Sequence, residues 1–64
     1  MPIITVAMGP ATEEQKKKMV ERFTAEAVDI TGIPADHFVV MINEHPLENI
    51  GVAGRTIKEM RAGS

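Results

Sequence analysis

The sequence of 64 residues has no cysteine, tryptophan or tyrosine, and its aromatics are two phenylalanines, Phe23 and Phe38. No disulfide can form and no thiol nucleophile exists. Two aromatics give no platform on which nucleic-acid bases could stack. Positive charge is also short. Seven Lys and Arg stand against nine Asp and Glu, for a formal net charge of −2 and a pI of about 5.6. A nucleic-acid partner needs a basic face, so none is expected. No apolar run is long enough to span a membrane, and Met1-Pro2 does not open a basic-then-apolar leader. Cytoplasm is the default location. The histidines, His37 and His45, are not linked by HxxxH or HExxH spacing, so neither a metal nor another cofactor is expected. GxGxxG and GxxxxGK[ST] are missing, and Gly51-Val52-Ala53-Gly54 lacks the Lys-Ser/Thr of a phosphate loop. The lone serine, Ser64, falls in a segment from Lys58 onward that reads as a loose tail.

These absences bear on stability. A chain of this length holds one domain, residues 1–64, and buries only about 60% of the surface that its unfolded form exposes. Small scaffolds need a disulfide, a metal or a partner subunit. With the first two excluded, a homo-oligomer is expected.

What the chain does have is clear periodicity. Ile3 to Met8 (IITVAM) is β-branched and apolar on both faces, which suits a buried strand, and Gly9-Pro10 ends it. Thr12-Glu13-Glu14-Gln15 is a capping box, with Glu13 and Glu14 placed to complement the helix dipole. Met19, Val20, Phe23, Ala27 and Ile30 follow at spacings of 3 and 4, an apolar stripe on a helix from Glu13 to Thr31. Gly32 suits the left-handed position past its end, and Pro34 comes two residues later. Lys16-Lys17-Lys18 and Arg22 read as a solvated face with pairs such as Glu14–Lys18 and Arg22–Glu26.

Phe38 to Ile42 (FVVMI) is a second strand, and Asn43-Glu44-His45-Pro46 turns the chain out of it. Gly51 to Gly54 reads as a short hairpin or tight loop. Met8, Met19 and Met41 read as core filler. Strand, long helix, strand is an α/β class βαβ unit, with parallel strands and a right-handed crossover. One helix covers one face of a two-stranded sheet. The other face has no cover within the chain, and such a patch marks a partner surface.

For chemistry, the amino terminus stands out. Glu44 and Glu48 flank a loop and read as solvated surface. Methionine is removed readily before a small residue, and Pro2 is one. The processed chain begins with a secondary amine, whereas a retained Met1 makes that nitrogen an amide with no basic lone pair. A free α-amino group titrates near 7.7–8.0. Apolar surroundings lower that value, toward what proton transfer needs.

Pro2 opening a strand, Thr-Glu-Glu-Gln-Lys opening one long helix, an apolar strand ending in Asn43-Glu44 and then Gly51-Val52-Ala53-Gly54 together resemble the 4-oxalocrotonate tautomerase family, over about Pro2 to Arg61. The resemblance implies a βαβ subunit, dimers with a four-stranded sheet, and a hexamer built from three dimers. It implies that the amino-terminal proline is the general base of a tautomerase acting on a small enol. It also implies that Arg61 lies near the pocket, that His37 lines it near the start of the second strand, and that Ile50 takes the place of an aromatic that keeps water from the proline. Arg55 and His45, flanking the glycine-rich turn, are further substrate-binding candidates. The family's arginine before the helix is replaced here by Pro10-Ala11, with one residue fewer, and its arginine at the start of the second strand by Val39. Neither Ala nor Val offers a carboxylate a bidentate fork. Two other readings follow from that loss: a tautomerase-fold structural subunit with little activity, or a ligand-binding oligomer without turnover.

Overall fold

The computed structural model describes residues 1–63. Strand β1 (Ile3–Met8) leads to helix α1 (Glu13–Thr31), and a 3₁₀ turn at Ala35–His37 precedes strand β2 (Val39–Glu44). A second 3₁₀ turn, Leu47–Asn49, leads to the two-residue strands β3 (Gly51–Val52) and β4 (Arg55–Thr56), and helix α2 (Ile57–Ala62) follows. β1 and β2 pair in parallel, Ile3 opposite Val39 through Met8 opposite Glu44, so this is the βαβ unit expected.

The helix starts where its capping box places it. Gln15 N–H donates to Thr12 Oγ1 at 3.1 Å, and Thr12 N–H donates to Gln15 Oε1 at 2.9 Å. Losing the Thr12 hydroxyl in Thr12→Ala should cost about 1 kcal/mol. Chemical denaturation checks this, and an unchanged midpoint would mean that the cap carries no stability. At the other end Gly32 adopts φ +74°, and its N–H donates to Val28 O at 2.8 Å. Of the expected helix pairs, Lys18–Glu14 forms at 3.6 Å. Lys17–Glu21 forms at 4.0 Å, and Arg22–Glu26 is not among the pairs of the described residues.

Alternation along the strands sorts the sheet into two faces. Ile4, Val6 and Met8 are partly covered, as are their neighbours Val40 and Ile42. Ile3 and Met41, on the opposite face, are 56% and 49% exposed. The helix stripe differs from the expected one. Ile30 is 75% exposed and Val20 40%, while Thr24, Ala27 and Val28 are half-buried. The periodicity identifies an apolar stripe, but the helix meets only two strands, too narrow a surface to cover it.

Two local expectations are corrected. β2 begins at Val39 and runs on through Asn43 and Glu44, because the ladder with β1 continues to Met8. The segment from Lys58 is no loose tail: residues 57–62 form α2, opened by a second capping box in which Glu59 N–H donates to Thr56 Oγ1 at 3.0 Å and Thr56 N–H to Glu59 Oε1 at 3.3 Å. Thr-x-x-Glu at Thr56–Glu59 is a legible signal for it. Ser64 lies outside the described residues. Between β3 and β4, Ala53 (φ +54°) and Gly54 (φ +82°) make a two-residue turn with both central residues left-handed, as the twist of a tight hairpin favours.

No described residue is buried, so the described residues form no hydrophobic core of their own. Its radius of gyration is 15.2 Å, against about 11 Å for a globule of this length. A fold so open is half of an interior rather than a whole one.

Candidate active site

Pro2 sits just before β1 and is half-buried. Its carbonyl accepts a hydrogen bond from Val39 N–H at 3.0 Å, which fixes the residue while leaving its nitrogen outside the ladder. His37 ends the 3₁₀ turn that enters β2, so it lies at the same end of the sheet. Its side chain is 61% exposed, with Nε2 4.0 Å from Asp36 Oδ1.

The other candidates lie elsewhere. At the far end of the sheet the chain folds back over the end of β1. His45 N–H donates to Met8 O at 2.8 Å, carrying the pairing one residue past β2. Pro46 then starts the second 3₁₀ turn, closed by Asn49 N–H donating to Pro46 O at 2.8 Å. This loop covers Gly9, where a side chain would start 3.6 Å from Leu47 Cδ2 and 3.8 Å from Ile50 Cδ1. A cavity of about 450 Å³ opens here, between Ala7, Met8 and Gly9 on one side and His45 and Asn49–Gly51 on the other. A second space of about 430 Å³ lies beyond Met8, between Pro10, Ala11 and the helix residues Gln15, Lys18 and Met19.

Within one chain, then, the structure gathers His45 and Ile50 at one end of the sheet and Pro2 and His37 at the other. Six strand residues separate the ends, about 20 Å at 3.3 Å per residue. Arg55 heads β4, and its guanidinium turns toward the end of α2, with Nη2 3.9 Å from where a side chain at Gly63 would begin. Arg61 lies on α2 and already has a partner.

Glu44 is not simple solvated surface. Its Oε1 accepts from Lys16 Nζ at 2.7 Å and its Oε2 from Ala11 N–H at 2.8 Å. Lys16 accordingly leaves the solvated face assigned to its stretch. These contacts tie the end of β2 to the loop before α1 and to the helix's first turns. The Lys16 hydrogen bond first, then the Ala11 N–H, hold the Glu44 carboxyl below its ordinary value of 4.5. A carboxyl lowered by folding stabilises the fold above its unfolded value, and that contribution is lost as pH falls through the folded value. Glu44→Gln should therefore flatten the acid side of the stability profile. Thermal unfolding from pH 6 down to pH 3 checks this, and profiles that superimpose would show that the clasp does not matter.

Asn49 and Met8 are lining residues that sequence reasoning misses. Asn49 carries no motif of its own, and Met8 resembles any other strand methionine. Only the return of the loop across Gly9 brings them together.

The geometry can be set beside known proteins. The family model described as "Tautomerase enzyme" matches residues 2–60. A probable tautomerase of Bacillus cereus is 38% identical over 60 residues, covering 92% of this chain and 98% of that protein. The 2-hydroxymuconate tautomerase of Pseudomonas putida is 43% identical over 49 residues, covering 77% and 78%. Among solved structures, one from a study of the 4-oxalocrotonate tautomerase isozymes of Methylibium petroleiphilum superimposes with a TM-score of 0.92 at 31% identity, covering 98% of this chain and all of that one.

Proposed function

The chain belongs to the 4-oxalocrotonate tautomerase family, and from that premise we propose that it moves a proton on a small enolisable 2-oxo or 2-hydroxy acid, with Pro2 as the base once Met1 is removed. The observation that carries this reading is the anchoring of Pro2 by its carbonyl on Val39 N–H. The backbone is held in place, and the nitrogen is left for chemistry. As a neutral secondary amine it takes the acidic proton of the enol and returns it to carbon. The net change is a shift of one proton and the double bond.

Catalysis in this reading needs a second copy. The open sheet face with Ile3 and Met41, and the absence of any buried residue among those described, favour association. A two-fold axis pairing the edges of two such parallel sheets sets the strands antiparallel across the join. The Pro2 end of one copy then meets the His45 and Ile50 end of the next. Met8 and Ile50 would give the amine the apolar surroundings that lower its pKa. Dimers, and a hexamer of three dimers, satisfy this geometry.

Loss of the family's arginines to Ala11 and Val39 supports a second reading, a subunit that binds or assembles without turnover. The rate of enol ketonisation by protein beginning at Pro2 separates the two. Acceleration over buffer supports the enzyme, and none supports the second reading.

A further inference from the structure

We infer that His45 and Asn49 are the polar anchors for substrate in the cavity at the end of β1, and that they select a small acid with one carboxylate over a dicarboxylate. The inference rests on the tautomerase reading for the identity of the reacting group, but its structural ground is the cavity itself.

The lining of that cavity contains no Lys, Arg, Asp or Glu. Ala7, Met8 and Ile50 make it largely apolar, and the side chains able to hydrogen-bond are His45 and Asn49. Both project from backbone that is already fixed. His45 is held by its N–H on Met8 O and restricted to extended backbone by Pro46. Asn49 closes the 3₁₀ turn on Pro46 O, and Ile57 N–H, donating to Ile50 O at 2.8 Å, ties the next residue to the start of α2. Little backbone freedom is lost when they grip a ligand, and the ordering cost is confined to two exposed side chains.

A carboxylate entering an apolar cavity gives up water and must find donors in its place. An imidazole N–H and an amide NH₂ can meet one carboxylate, or one carboxylate oxygen and the neighbouring enol oxygen. Among the side chains that this chain contributes, a second carboxylate would find no further donor, only Met8 and Ile50. No Lys or Arg among the described residues lines the cavity. Lys16 is on Glu44 at 2.7 Å, Lys18 is on Glu14 at 3.6 Å, and Arg55 is turned to the end of α2.

The test uses protein beginning at Pro2 and two kinds of probe. Phenylenolpyruvate, a monoacid, and 2-hydroxymuconate, a diacid, give kcat and KM. Benzoylformate and its 4-carboxy derivative, which cannot enolise, give Kd on a Pro2→Ala background, so binding is read without turnover. The monoacid of each pair should bind about tenfold or more tighter than the diacid, the scale of one hydrogen bond to a charged group. His45→Leu should raise KM and Kd for the monoacid by a similar factor, Asn49→Ala should raise them less, and His45→Gln, which keeps a donor, should restore most of the loss. Equal or tighter diacid binding, or a Kd indifferent to His45→Leu, overturns the inference. If the enols are not turned over but the Kd pattern appears, the catalytic reading falls and the anchors stand.

Discussion

Protein that begins at Pro2 should accelerate ketonisation of phenylenolpyruvate, and protein that retains Met1 should not. The difference is one of nitrogen chemistry. A prolyl amine carries a lone pair in a direction fixed by its ring, whereas the Met1–Pro2 amide has delocalised that pair into its carbonyl. A placed base supplies a factor of roughly 10²–10⁴ in rate, so retention of Met1 should remove about that much. Pro2→Ala, with a primary amine in a less constrained position, should fall between the two. The pH profile of the processed protein should show one ionisation below the 7.7–8.0 usual for a free α-amino group. Electrostatic stabilisation of the developing enolate usually lowers the barrier more than the base does. With Ala11 and Val39 at the positions where the resemblance implies arginines, efficiency should be low compared with arginine-bearing relatives. Intact mass establishes which form is assayed. Equal rates for the processed, Met1-retaining and Pro2→Ala forms, none above buffer, would give the protein a role in binding or assembly instead.

A charge at Met41 should dissolve the assembly. Met41 lies on the sheet face away from α1 and is 49% exposed in the single chain. In an isolated subunit Met41→Asp would thus be an ordinary surface substitution, costing within about 0.5 kcal/mol. Under a second copy it becomes a buried charge with no partner, which costs several kcal/mol in a low-dielectric interface. Light scattering should show loss of the oligomer, and because no described residue is buried within one chain, the circular dichroism of its helices should fall with it. Val40→Asp is the contrast, since Val40 is partly covered on the helix side and its replacement disrupts the subunit directly. A Met41→Asp protein that stays folded as a stable monomer at micromolar concentration would refute the account of the open face.

Much of the local structure is legible because it is written in short-range chemistry. Thr12 to Gln15 fixes where α1 begins, through two reciprocal hydrogen bonds within four residues. Gly32 fixes where it ends, since few other residues accept φ +74° without strain. The β-branched runs beginning at Ile3 and near Val39 each read as a strand, and a single helix between them dictates parallel pairing. The helix α2 is equally local, signalled by Thr56 and Glu59, but the glycines on either side of it obscure the signal.

The arrangement of the site is not local. Nothing near His45 in sequence says that its N–H bonds Met8, far earlier in the chain, or that Glu44 grips Lys16 and the Ala11 amide. Nor does residue order say that Pro2 and Ile50 lie at opposite ends of one strand, which makes a site of both a matter of two chains.

The sequence by itself determined β1, α1 and β2, their order, the uncovered sheet face and the proline at the head of β1, because caps, turns and periodicity depend on neighbours a few residues apart. Tertiary structure alone decided which side chains share a cavity, that its lining holds no Lys, Arg, Asp or Glu, and that one chain leaves every described residue partly exposed. Those properties depend on contacts between distant segments, whose loop closures and packing no short stretch of sequence encodes.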